Sequence, residues 1–216
     1  MGLPTPLVTR AREKTMQKTI ALDADGVLLD YATAYAQAWF DAFGVRPQMT
    51  NPQAYFPREK WGLPVLEGDA LAEFRAQFDS SFWSSLPALP GAVEACRDLH
   101  AAGYRLVVVS ALPEEFAVDR HTNLLSHGFP VDAVYATPVL SSPTHNPKAS
   151  VLQKLQPVAF VDDYLPYLRG ISRSATHVAL ITREPYGSPN AGPELTLADS
   201  LHSDLPDFAS WWLSGQ

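Results

Sequence analysis

Cysteine is almost absent from the 216-residue chain: Cys96 stands alone. Without a second thiol there is no internal disulfide and no cysteine-built zinc site, and the chain suits a reducing compartment. Basic residues are scarce as well. Sixteen Lys and Arg against 23 Asp and Glu leave a net charge of -7, which gives no general hold on the phosphates of a nucleic acid polymer. No apolar run nears the roughly 20 residues that a membrane helix requires, and the first residues lack the apolar stretch of a secretory signal. The six histidines show no metal-ligand spacing; His121 and His127 share one predicted helix but stand six apart. Repeats and low-complexity segments are missing too. These absences point to a cytoplasmic protein that meets a small soluble partner rather than a membrane or a polymer.

What the sequence does hold is enough apolar material for a core: 46% hydrophobic against 18% charged residues. Residues 1–17, with Arg10, Arg12 and Lys14, read as a flexible leader, and Met16 offers an alternative start. Short apolar runs then end on polar residues: Thr19 to Leu22 before Asp23, Arg105 to Val109 before Ser110, and Val158 to Val161 before Asp162. These read as buried parallel strands, and Ala133 to Ala136 and His177 to Thr182 as further ones. Helices are expected at Ala92 to Ala102, at Glu114 to His127 and from Pro147 onward, with a last one anchored by Trp211 and Trp212. Cys96 falls inside the first of these and reads as packing. Alternating strand and helix implies a doubly wound α/β sheet.

About eighty residues separate Asp23 from the strand at Arg105, where a crossover needs only a dozen or more. Tyr31 to Pro87 is the surplus, with helical patterns at Ala32 to Phe43 and Asp69 to Phe78 around a proline-rich middle. The expected organisation is therefore a core of 18–30 and 88–216 with a small helical cap, 31–87, inserted after the first strand.

Ligands of open α/β sheets bind outside the carboxyl ends of the strands, where Asp23, Ser110 and Asp162 all arrive. Asp23 and Asp25 flank one residue and precede Gly26, which permits a sharp turn. Carboxylates this close repel unless a cation or a shared proton intervenes. Magnesium, held by one or two carboxylates, waters and a phosphate oxygen, suits them.

The stretch Thr19-Ile20-Ala21-Leu22-Asp23-Ala24-Asp25-Gly26-Val27-Leu28-Leu29-Asp30 resembles motif I of the haloacid dehalogenase superfamily of phosphohydrolases. Ser110 after Leu106-Val107-Val108-Val109 is similar to motif II, Lys148 in Asn146-Pro147-Lys148-Ala149 to motif III, and Asp162-Asp163 after Phe160-Val161 to motif IV, in the family's order. The resemblance implies a phosphomonoesterase that acts through an aspartyl phosphate. Asp23 would be the nucleophile, and Asp25 the general acid and then base. Asp23, the Asp25 carbonyl and Asp162 would hold Mg2+, with Asp163 either a further metal-shell acceptor or the orienter of Lys148. Ser110, with Ala111 beside it, and Lys148 would contact the phosphoryl group. Family members of the dehalogenase type lack the second aspartate, so Asp25 argues for a phosphatase; a phosphomutase or phosphotransferase shares both aspartates and is an alternative. A phosphoaspartate signalling module is another, though such domains order their acidic residues differently and carry no cap.

Asp23 to Tyr31, Phe82-Trp83 and Leu86 to Ala95 are further similar to the deoxyribonucleotidase group of 5'-nucleotidases. That likeness implies a base pocket lined by Tyr31, Phe82 and Trp83, where stacking is worth roughly 1 to 3 kcal/mol per base. Two features depart from the group: Ser110 leads into Ala111, Leu112, Pro113 and Glu114 rather than Ser-Pro and a lysine, and Asn146 replaces a basic residue. The expected partner is a small phosphate ester, and a homo-oligomer is compatible with the sequence.

Overall fold

Strands whose side chains are apolar in an unbroken run can only sit where both faces of a sheet are covered. The computed structural model describes residues 17–141, 145–184 and 188–215; of the expected leader, all but Gln17 lies outside the described residues. The strands are β1 (Thr19–Leu22), β2 (Arg105–Ala111), β3 (Val131–Thr137), β4 (Ala159–Asp162), β5 (His177–Ile181) and β6 (Ser200–His202). They form one parallel sheet in the order β3-β2-β1-β4-β5-β6. Thr19 of β1 lies opposite Arg105 and Leu22 opposite Val108, while on the other side Ile20 faces Ala159. Alternation sends Ile20, Leu22, Leu106 and Val108 into one core and Ala21, Val107, Val109 and Phe160 into the other. The order reverses between β1 and β4, and crevices at such points are where α/β sheets take ligands.

The helices inserted between β1 and β2, in the segment expected to be a cap, are α1 (Tyr31–Phe43), α2 (Pro57–Lys60), α3 (Gly68–Arg75) and α4 (Ser80–Trp83). Asp30 starts α1 by accepting the Thr33 N–H at 2.9 Å, and Gly44 ends it in the left-handed conformation. Where the cap meets the core the two chain passages are tied, since Asp30 N–H donates to Pro87 and Leu89 N–H to Leu28, both at 2.8 Å. Then come α5 (Ala92–Ala101), α6 (Ala117–Ser126), α7 (Pro147–Leu155) and α8 (Leu205–Leu213). Gly91 opens α5 at φ 73°, and a Cβ there would stand 2.9 Å from Pro206 of α8, so the close approach of these helices requires glycine.

Several expectations shift. The helix expected over Glu114 to His127 is a 3-10 turn, Glu114–Phe116, followed by α6. The one expected to reach Phe78 stops at Arg75, and Phe78 turns into an aromatic cluster with Tyr31, Tyr35, Phe74 and Phe82. The short elements β6, α2 and α4 span too few residues to display a period. The last helix is α8, with Trp211 and Trp212 half-buried against the core. Among the described residues, no helix is long and apolar enough to cross a membrane.

Candidate active site

β1 hands the chain directly to Asp23, whose N–H continues the ladder to Val161 at 2.8 Å. Its Oδ1 accepts the Ala24 N–H at 2.8 Å and lies 2.9 Å from Lys148 Nζ. Lys148 sits in the first turn of α7, where the Asn146 side chain caps its N–H at 3.0 Å. Its ammonium is wholly buried, 2.7 Å from Asp162 Oδ2 and 4.3 Å from the centre of the Tyr167 ring. Burial alone would lower the Lys148 pKa, but Asp162 and Asp23 outweigh it and hold the group above its ordinary value. Asp162 closes β4, and its Oδ1 accepts the Tyr164 N–H at 2.9 Å. Burial pushes its pKa up to about 7 in spite of Lys148.

Asp163 completes the acidic group. Oxygens of Asp23, Asp162 and Asp163 all lie within 4.8 Å of one another. Burial, then the Asp162 and Asp23 charges, pushes the Asp163 pKa well above the usual carboxylate range. A single buried ammonium against three carboxylates leaves surplus negative charge. An all-oxygen donor set of this kind fits a hard divalent cation such as magnesium. Gly26, at φ 82°, passes directly beneath Asp163: a Cβ there would stand 2.0 Å from Asp163 Oδ2, so any side chain would displace the carboxylate.

Asp25 turns the other way. Its Oδ1 lies 2.8 Å from Arg120 Nη1 and its Oδ2 accepts Nη2 at 3.1 Å; Arg120 reaches it from α6 with no exposed surface. Burial raises the Asp25 pKa more than Arg120 lowers it. Ser110, near the end of β2, is 1% exposed, and its Oγ has no hydrogen-bond partner among the described residues. Buried hydroxyls are ordinarily paired, so a bare one at a cavity is ready for a ligand oxygen.

A cavity of about 520 Å³ opens over this edge. Asp23, Asp25, Gly26, Ser110, Ala111 and Asp163 form its floor, and Tyr31, Tyr55, Phe56, Trp83 and Tyr164 its wall. Two of the expected site residues are not among those that line the cavity. Lys148 does not line the cavity: it lies behind Asp23 and Asp162, because two carboxylates engage its ammonium. Phe82 is absent from the wall as well; its ring meets Tyr31 and Trp83 edge-on, at 5.9 and 5.0 Å between centroids, within the cap's aromatic core. Lys148 is oriented by Asp162 and Asp23, not by Asp163.

With this geometry in place, the family model of the haloacid dehalogenase-like hydrolases matches residues 17–166. The chain belongs to that family. A Bordetella pertussis protein named "Putative 5'(3')-deoxyribonucleotidase" is 36% identical over 97 residues, 43% of this chain and 48% of that one. The chain thus spans about half the length of the curated relative it matches. Among solved structures, a HAD family hydrolase from Deinococcus radiodurans R1 with bound phosphate and sodium superposes with a TM-score of 0.61 at 16% identity, covering 92% of this chain and 96% of that one. An L-2-haloacid dehalogenase from Xanthobacter autotrophicus, with chloropropionic acid covalently bound, superposes at 0.56 and 16% identity over 93% and 100%. At such identities the likeness is one of fold, and a hydrolase of this family is distinguished by its own site.

Sequence reasoning missed several residues of this site. Arg120 is the chief one, although a signal existed: it shares a helical stripe with Asn123 and Leu124, both buried, so a charge was directed at the core. Lys60 of α2 pairs with Glu184 at 2.9 Å across the cap and core, and Arg183 donates to the Gly26 carbonyl at 2.7 Å. Tyr55 and Tyr164 stack at 6.1 Å on the far wall.

Proposed function

We propose that this hydrolase is a magnesium-dependent phosphomonoesterase that works through an aspartyl phosphate on Asp23. One observation carries the reading: Asp23 lies on the cavity floor with Lys148 behind it and the bare Ser110 hydroxyl on the same floor. Oδ1 of Asp23 is held by Ala24 and Lys148, so Oδ2 is the oxygen we assign to attack on phosphorus. The bond from phosphorus to the substrate alcohol breaks as the Asp23–phosphorus bond forms, and Asp25 gives the departing oxygen its proton. In the second half, Asp25 takes a proton from water as the water oxygen attacks phosphorus, which returns Asp23 and releases inorganic phosphate. Ser110 donates to a phosphoryl oxygen, and Lys148 acts from behind as fixed positive charge. Asp23, Asp162 and Asp163 with the Asp25 carbonyl would hold magnesium, which when bound supplies charge neutralisation for the phosphoryl oxygens.

We take 31–87 as the cap and 18–30 with 88–216 as the core. The leaving group then meets Tyr31 and Trp83, and rings there favour a planar group, in line with the name of the Bordetella relative. A nucleoside 5'-monophosphate in the cytoplasm is the substrate we favour. Release of phosphate from para-nitrophenyl phosphate should require magnesium and stop on chelation; full activity in excess EDTA would overturn the metal assignment. Across a panel, nucleoside 5'-monophosphates should exceed aliphatic phosphates of equal charge in kcat/KM, and no preference would leave a phosphatase without the nucleotide reading.

A further inference from the structure

The guanidinium of Arg120 has no exposed surface, and its Nε has no hydrogen-bond partner among the described residues. Its Nη2 donates to Asp25 Oδ2 at 3.1 Å, its Nη1 lies 2.8 Å from Asp25 Oδ1 as a charge contact without a hydrogen bond, and its face lies 5.0 Å from the centre of the Trp83 ring. A buried cation with one carboxylate partner is a poor device for stability, because desolvation of both ions offsets most of their attraction. An apolar side chain on the same stripe as Leu124 would pack as well. What the pair does supply is direction: the Nη2 hydrogen bond to Oδ2 and the close charge contact of Nη1 with Oδ1 hold both carboxylate oxygens against one planar group, so a turn of the carboxylate would break the ion pair. Trp83 is itself held, its Nε1 donating to the Phe78 carbonyl at 3.1 Å. A ring of the cap wall, a guanidinium of α6 and the carboxylate beside the nucleophile therefore form one line of contacts.

We infer that Arg120 is a positioning residue that aims Asp25 at the leaving-group oxygen and ties that aim to Trp83 of the cap. The inference deepens the phosphatase reading and rests on it. Proton transfer depends on alignment as well as on the presence of the carboxyl, so losing the planar group should harm the substrates that need the proton.

The test is kcat/KM for phosphate esters of graded leaving-group acidity in Arg120→Gln, Arg120→Lys, Asp25→Asn and the double variant Asp25→Asn/Arg120→Gln. Arg120→Gln should lower kcat/KM about 100-fold for an alkyl phosphate and less than about 5-fold for para-nitrophenyl phosphate. Arg120→Lys keeps the charge without the planar group and should show the same leaving-group dependence; it decides the matter if Arg120→Gln does not fold. Once Asp25 is Asn, adding Arg120→Gln should change little. Equal losses across all esters, a wild-type leaving-group profile in Arg120→Lys, or fully additive losses in the double variant would each overturn the inference. A crystal structure of Arg120→Lys gives a readout independent of turnover: the Asp25 carboxylate should turn from its wild-type orientation, and an unmoved carboxylate would overturn the inference. Absence of phosphate release by the wild-type enzyme would instead remove the phosphatase reading.

Discussion

Behind the cavity floor, the fully buried Lys148 lies 2.9 Å from Asp23 and 2.7 Å from the fully buried Asp162, whereas the cap above is a cluster of rings in which Phe82 touches Tyr31, Phe78 and Trp83. The floor is a set of mutually dependent charges: removing one leaves its partner buried and uncompensated. Contacts among rings are non-directional by comparison, and a lost ring leaves a void rather than a stranded charge. A change in the floor should therefore strike chemistry first, and a change in the cap stability or substrate preference.

The largest expected effect is in the floor. Asp23→Asn should bring turnover to background while phosphate esters still bind, as an amide keeps the shape but is a poor nucleophile; measurable wild-type-like turnover would remove Asp23 from the reaction. Lys148→Met should come next. It should lower kcat by about 1,000-fold and destabilise the fold by about 3 to 5 kcal/mol, seen in denaturant titration, because Asp23 and Asp162 then face each other without a cation. A variant as stable as wild type would break the contrast between floor and cap.

The cap variants sharpen it. Phe82→Ala should cost about 3 to 5 kcal/mol in stability and leave the ranking of substrates unchanged, as a ring is lost from the core and not from the cavity. Trp83→Ala should instead reduce the preference for planar leaving groups, measured as a ratio of kcat/KM values. If the two variants behaved alike, the division of the aromatic residues into core and wall would fail.

The smallest effect lies far from both, between β5, β6 and α8. His177 and His202 both approach Ser200 Oγ at 2.8 Å, and burial holds both imidazoles below their ordinary pKa. A depressed histidine contributes stability that is present above its unfolded pKa of about 6.5 and is lost as pH falls toward the folded value. The melting temperature should thus drop between about pH 7.5 and about pH 5.5, less steeply in His202→Gln, and an equal slope in both would discount this pair.

Much of the fold was legible because its signals are local. The runs before Asp23, Ser110 and Asp162 carry their own burial, and a strand buried on both faces cannot be written any other way. Asp23, Asp25 and Gly26 fall in one turn, so the acidic pair and the glycine that admits Asp163 stand in four consecutive positions. The excess of chain between the first two strands likewise announced the cap. What the sequence could not order was which side chains meet across those elements. Arg120 stands 95 residues from Asp25, and only the packing of α6 against the sheet edge turns a charge on a helical stripe into a clamp. The same holds for adjacent Phe82 and Trp83, one enclosed and the other on the wall, and for Lys148, whose place behind Asp23 depends on how α7 packs against β2 and β3. Periodicity and strand ends belong to neighbouring residues and survive in the sequence. The direction in which a buried charge points belongs to the elements packed around it, and only the tertiary structure decided it.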